Sequence, residues 1–163
     1  MLRPVRDMLA VFCTLLAVQA AAAPCREDTV QLKGDWGQAR FSVELADDDA
    51  DRSRGLMFRE KLPRSAGMLF VYPGPQRVAF WMKNTLIPLD MLFIDDTGTV
   101  TKIHHEAQPG DLSAIASEGK VRAVLEINGG LADAMGIGPG TRLRHPVFDP
   151  DRAVWPCVAE NAD

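Results

Sequence analysis

The sequence carries no excess of positive charge: 18 lysines and arginines stand against 22 acids, a net of −4. No basic stripe runs along it, which argues against nucleic acid as a partner. Beyond the first two dozen residues no apolar run approaches the length of a membrane span, so the mature chain is expected not to cross a bilayer. No segment repeats, and no low-complexity linker divides the chain. The Gly-x-Ser-x-Gly elbow of many hydrolases does not occur, and Gly129-Gly130 lacks the lysine and spacing of a phosphate-binding loop. Asp47-Asp48-Asp49 lacks the spaced ligands and the glycine of a calcium loop. Cysteine is scarce, with only Cys13, Cys25 and Cys157.

What the first residues do contain is an export pattern. Arg3 and Arg6 precede an apolar stretch from Met8 to Val18, and small residues follow at Ala20 to Ala23. This reads as a signal peptide over residues 1–22 with cleavage near Ala20–Ala22. The alternative is a membrane anchor, for which the run is too short. A periplasmic or secreted protein is the expectation. Losing Arg3, Arg6 and Asp7 with the leader moves the net charge from −4 to −5. Cys13 would leave too, and the two remaining cysteines at opposite ends of an exported domain read as one disulfide. A lipid attachment at Cys25 and two free thiols are the alternatives.

The rest of the sequence is punctuated into short strands. Period-two alternation and turn residues predict strands at 29–33, 40–45, 68–72, 77–82, 89–94, 99–104, 120–127 and 141–145. Helices are expected only at about 47–54, capped by the aspartates, and at 129–135, capped by Asn128 and stopped by Gly136. Residues 106–119 read as a long polar loop. The whole is expected to be mainly β, a compact single-domain β-sandwich or barrel-like fold with two short helices.

The unusual stretch is Phe80-Trp81-Met82-Lys83-Asn84-Thr85-Leu86-Ile87-Pro88-Leu89-Asp90. It mixes an aromatic ring, a cation, an amide, a hydroxyl and a carboxylate with residues that should be buried. Buried polar groups are costly unless paired, so the run is either a shared hydrogen-bond network or the wall of a binding site. On a strand, Val78, Phe80 and Met82 would share the core face, leaving Trp81 and Lys83 together on the other. Lys83 could attract an anion or stack on Trp81; alternatively it bridges to Asp90 or Glu126 as scaffold. Asn84 and Thr85 could equally satisfy their own turn. Asp90 and Glu126 are the acids of otherwise apolar strands, and a carboxylate pair would suit a hydrolase.

These segments, with Gly55-Leu56-Met57-Phe58-Arg59, Gly67-Met68-Leu69-Phe70-Val71, Phe93-Ile94-Asp95 and Val124-Leu125-Glu126, resemble the bacterial and archaeal family called domain of unknown function 192. The resemblance covers about residues 38–146. Residues 23–37 are then an N-terminal segment before that domain, and 147–163 a tail that the expected Cys25–Cys157 bond ties back. The resemblance implies a compact β fold, often exported, and no activity or catalytic residue.

Metal is the remaining class. Met57, Met68, Met82 and Met91, with His104, His105 and His145, could hold copper(I) in an exported protein. Methionine also fills irregular cores, and none of these spacings is a ligand motif, so no metal and no cofactor is expected. The sequence therefore points to a small exported β-domain that binds a small polar ligand or an envelope component. Its groove would be rimmed by Trp81, Lys83, Asn84, Thr85, Asp90 and Glu126. The other readings are a hydrolase using Asp90 and Glu126, and a structural or envelope-assembly protein.

Overall fold

A computed structural model describes residues 25–157; the expected signal peptide lies outside the described residues. Nine strands and two helices follow in order: β1 (Thr29–Gly34), β2 (Gly37–Ala46), α1 (Asp49–Arg54), β3 (Ala66–Gln76), β4 (Ala79–Phe80), β5 (Leu89–Ile94), β6 (Val100–Ala107), β7 (Ile115–Ala116), β8 (Val121–Asn128), α2 (Leu131–Met135) and β9 (Arg142–Arg144). Seven of the strands form one sheet in the order β6-β5-β8-β3-β2-β1-β9, curled into a half-barrel. Of the two expected architectures, this is the barrel-like one. All pairings are antiparallel except β2 with β3. A parallel pair needs a crossover connection, which residues 47–65 supply with α1 at their start. The curl brings the two ends of the sheet together at one corner, where Thr99 bridges Arg142 and the Val100 N–H donates to Thr141 O at 2.8 Å.

Each face of the sheet holds its own core. One is the inside of the curl, where Val30, Leu32, Phe41, Leu69, Leu92, Leu125 and Ile127 pack under α2. On the other face Met68, Phe70, Met91, Phe93 and Val124 are covered by loops, with Leu56 and Met82 as the main plugs. Strand β5 is consequently buried at every position, from Leu89 to Ile94. Side chains alternate across a strand, so adjacent residues of β5 and β8 serve different cores.

Where the sequence reading and the structure part, the causes are local. Only Ala79 and Phe80 of the expected strand 77–82 form a ladder, because their partner is the short β7 inside the 106–119 loop. The alternation itself survives: Met82 is buried while Trp81 and Lys83 are exposed. Asn128 does not cap α2. Its amide donates instead to Leu62 O and Pro63 O at 3.2 and 3.1 Å, and Gly130 occupies the cap position in the left-handed region, φ 76°. Asp48 caps α1 as expected, accepting the Asp51 N–H at 2.7 Å.

The chain ends meet. Cys25 and Cys157 form a disulfide with their Cα atoms 5.7 Å apart. The C-terminal stretch is fastened further by Val154, whose N–H donates to Thr97 O at 2.9 Å. The cations of Lys33 and Arg144 also lie each 5.8 Å from the Trp155 ring centre.

Candidate functional site

Glu126 sits in the middle of β8, between Met68 of β3 and Met91 of β5. Its side chain therefore projects among methionine and phenylalanine side chains, on the face covered by loops. It is 4 % exposed, and no residue described reaches its carboxyl group with a hydrogen bond or an ion pair. Burial without a partner disfavours the charged form. That pushes the Glu126 carboxyl group up to about 8 from its ordinary 4.5. At neutral pH this is a carboxylic acid, able to donate as well as accept.

The loops above Glu126 leave a narrow cleft with about 40 Å³ of free room, lined among others by Arg54, Leu56, Trp81, Lys83 and Thr85. Two turns build its walls. Gly55 ends α1 with φ 48°, and a side chain there would approach the Phe70 ring to 3.0 Å, so the position suits glycine alone. Asn84 takes φ 54°, a region asparagine tolerates better than most residues. Its carbonyl accepts the Phe58 N–H at 2.8 Å, which sews the two walls together. The third loop is sewn on through Met82, whose N–H donates to Asp111 O at 2.8 Å and whose carbonyl accepts the Gly110 N–H at 2.9 Å.

Of the residues singled out in the sequence, four lie together at this cleft. Trp81 is 49 % exposed, and Lys83 Nζ stands 5.1 Å from its ring centre. Lys83 has no carboxylate within salt-bridge distance among the described residues, so it does not bridge to Asp90 or to Glu126. Thr85 is buried beside Glu126, its N–H donating to Met82 O at 3.1 Å. Asn84 holds the rim but does not line the cleft, and its amide approaches Met57 Sδ at 3.9 Å.

Asp90 is elsewhere. In the β5–β8 register it pairs with Ile127, while Met91 pairs with Glu126, so the two acids point to opposite faces. Asp90 is fully buried and saturated: Oδ1 accepts the Glu106 N–H at 2.8 Å and the Gly130 N–H at 3.0 Å, and Oδ2 accepts the Ala132 N–H at 2.7 Å. It does what Asn128 was expected to do, satisfying the free N–H groups at the start of α2. It belongs to the scaffold, and the expected convergence of Lys83, Asn84, Thr85 and Asp90 stops short of Asp90.

The sequence reading placed a helix at 47–54 but gave its residues no part in the site. Arg52 and Arg54 come from its last turn to the cleft. Arg52 is already spent on Asp49, Asp47 O and Val71 O, and lies 5.5 Å from the Tyr72 ring centre. Burial raises the Tyr72 phenol to about 12, so it stays neutral. The Arg54 side chain has no partner among the described residues. The available signal was position: Arg52 and Arg54 immediately precede the Gly55–Arg59 segment.

The candidate metal ligands are dispersed. Met68, Met82 and Met91 are packed in the loop-covered core. His145 is held neutral by burial, its Nε2 hydrogen-bonded to Glu27 O at 2.8 Å and its Nδ1 accepting the Val147 N–H at 3.2 Å. His105 lies 3.2 Å from Asp133.

Residues 29–145 match the family DUF192, described as "Uncharacterized ACR". The chain belongs to that family. A crystal structure of a protein of unknown function from Novosphingobium aromaticivorans is 40 % identical, with a TM-score of 0.70, 76 % of this chain and 93 % of that one being covered. A Sinorhizobium meliloti protein called a "putative transcription regulator" is also 40 % identical, with a TM-score of 0.70 and coverage of 76 % and 96 %. No curated protein matches the chain.

Proposed function

We propose that this DUF192 protein is an exported β-domain that binds a small polar ligand, free or part of the cell envelope, in the cleft above Glu126. One observation carries the reading: Glu126 is enclosed among apolar side chains with no partner, at the floor of an opening lined by polar groups. Leaving a buried polar group unsatisfied costs about 1–3 kcal/mol or more. The Glu126 carboxyl group opens onto the cleft, so water or a ligand there is what can meet it. Trp81 at the rim offers a flat apolar face for a ligand body. Export is supported by the leader pattern and by the Cys25–Cys157 bond, which suits an oxidising compartment.

The carboxylate-pair hydrolase has no geometric support, since Asp90 and Glu126 cannot flank one bond from opposite faces of a sheet. Regulation of transcription, the label of the Sinorhizobium protein, draws no support from a net charge of −4.

Native mass spectrometry of protein purified from its own host tests the proposal. The wild type should retain a small molecule that Trp81→Ala and Lys83→Met lose while staying folded. Equal retention by both variants, or a wild type free of any bound species that also ignores a panel of envelope fragments, would refute it.

A further inference from the structure

The protein as a whole is acidic, yet the cleft is lined by Arg52, Arg54 and Lys83 against the single acid Glu126. Arg52 is neutralised by Asp49 at 2.6 Å. Lys83 and Arg54 are not, because neither has a carboxylate partner among the described residues. A cationic ligand group would have to pass both of them to reach Glu126, whereas an anion would be drawn in. The free room, about 40 Å³, exceeds the roughly 10–15 Å³ that one water needs. It suits a head group, not a whole sugar or peptide, and leaves the ligand body outside against the half-exposed Trp81 ring.

Resting on the binding reading above, we infer that the group recognised by this cleft is an oxyanion, a carboxylate or phosphate monoester. It is held by Lys83 and Arg54 at the rim, while the Glu126 carboxyl group at the floor donates a hydrogen bond to it. Lys83 and Arg54 share the cleft with the enclosed acid, and neither pairs with it. A neutral Glu126 carries no charge to compete with the ligand for Lys83 and Arg54. The high midpoint of Glu126, about 8, agrees with that role. Charge-assisted hydrogen bonds to an oxyanion are among the stronger polar contacts.

The test is backbone-amide NMR of the oxidised protein, following residues 83–85 and 126. Acetate, methyl phosphate, methylammonium and glucose are titrated separately against sodium chloride, at constant ionic strength and pH 6.5. Acetate or methyl phosphate should shift these amides to saturation, and the stronger of the two assigns the ligand as carboxylate or phosphate. Lys83→Met and Arg54→Met should each weaken the binding by roughly tenfold. Acetate should bind about tenfold more weakly at pH 9 than at pH 6.5, as Glu126 ionises through its midpoint near 8. Glu126→Gln keeps a donor that cannot ionise, so it should retain binding and lose the pH dependence. Methylammonium binding in place of the anions, or glucose binding as well as acetate does, would overturn the oxyanion inference and leave the binding cleft standing. Silence from all four probes at these amides would overturn both.

Discussion

Asp90 and Glu126 make an instructive pair. Each is a buried acid in an apolar strand, on neighbouring strands and one register step apart, and they differ only in the face they serve. On the inner face Asp90 accepts three backbone N–H groups and ties β6 to the start of α2. On the loop-covered face Glu126 accepts none. Burial is common to both, so burial does not separate scaffold from site. Satisfaction does: a polar group whose partners all lie within the chain has finished its work on folding.

The largest expected effect comes from breaking the satisfied member. Asp90→Ala removes the acceptor of three N–H groups, one of them fully buried, so unfolding in urea should show a loss of about 3 kcal/mol or more. A loss under ~1 kcal/mol would mean that α2 and β6 do not depend on Asp90, and the contrast would collapse.

The next effect is a pH slope. The folded-state midpoint of Glu126, about 8, lies above its ordinary 4.5, so the native state holds a proton that the unfolded state releases. The associated stability is full below about 4.5 and is lost as pH rises through about 8. The buried His145 has its midpoint lowered and acts in the other direction, destabilising the fold only as pH falls below its ordinary 6.5. Between pH 6.5 and 8 Glu126 should therefore dominate these two, with a decline on the order of 1–2 kcal/mol. Glu126→Gln should flatten that decline in chemical denaturation curves. A variant slope equal to the wild type's would locate the titration elsewhere.

At the rim the expected effect on stability is smallest. Lys83→Met removes an exposed cation that no carboxylate pairs with, and should change the unfolding free energy by less than about 0.5 kcal/mol. Binding should fall all the same. A loss of ~3 kcal/mol, the cost of stranding a buried partner, would make Lys83 part of the scaffold.

Much of the fold was legible because alternation is a property of single strands. The pattern of 40–45 and of 120–127 gave β2 and β8, and glycine and aspartate turns separated the rest. Even where the ladder at 77–82 shrank to two residues, Trp81 and Lys83 stayed outside and Met82 inside. Pairing is not written in a single strand, and that limited the site. Asp90 and Glu126 both look like lone acids in apolar runs, and only the β5–β8 register sends them to opposite faces. The same gap hid Arg54, whose place at the cleft follows from the crossover that carries α1 over the sheet.

Carbon-detected NMR of the glutamate side chains would test the central claim most directly, by following the Glu126 carboxyl carbon in the ligand-free protein as pH is raised. The account predicts a single glutamate that stays protonated through neutrality and titrates near 8, its signal lost in Glu126→Gln. A Glu126 midpoint in the ordinary range near 4.5 would contradict it, showing the group to be solvated or paired and the cleft to have no neutral acid at its floor.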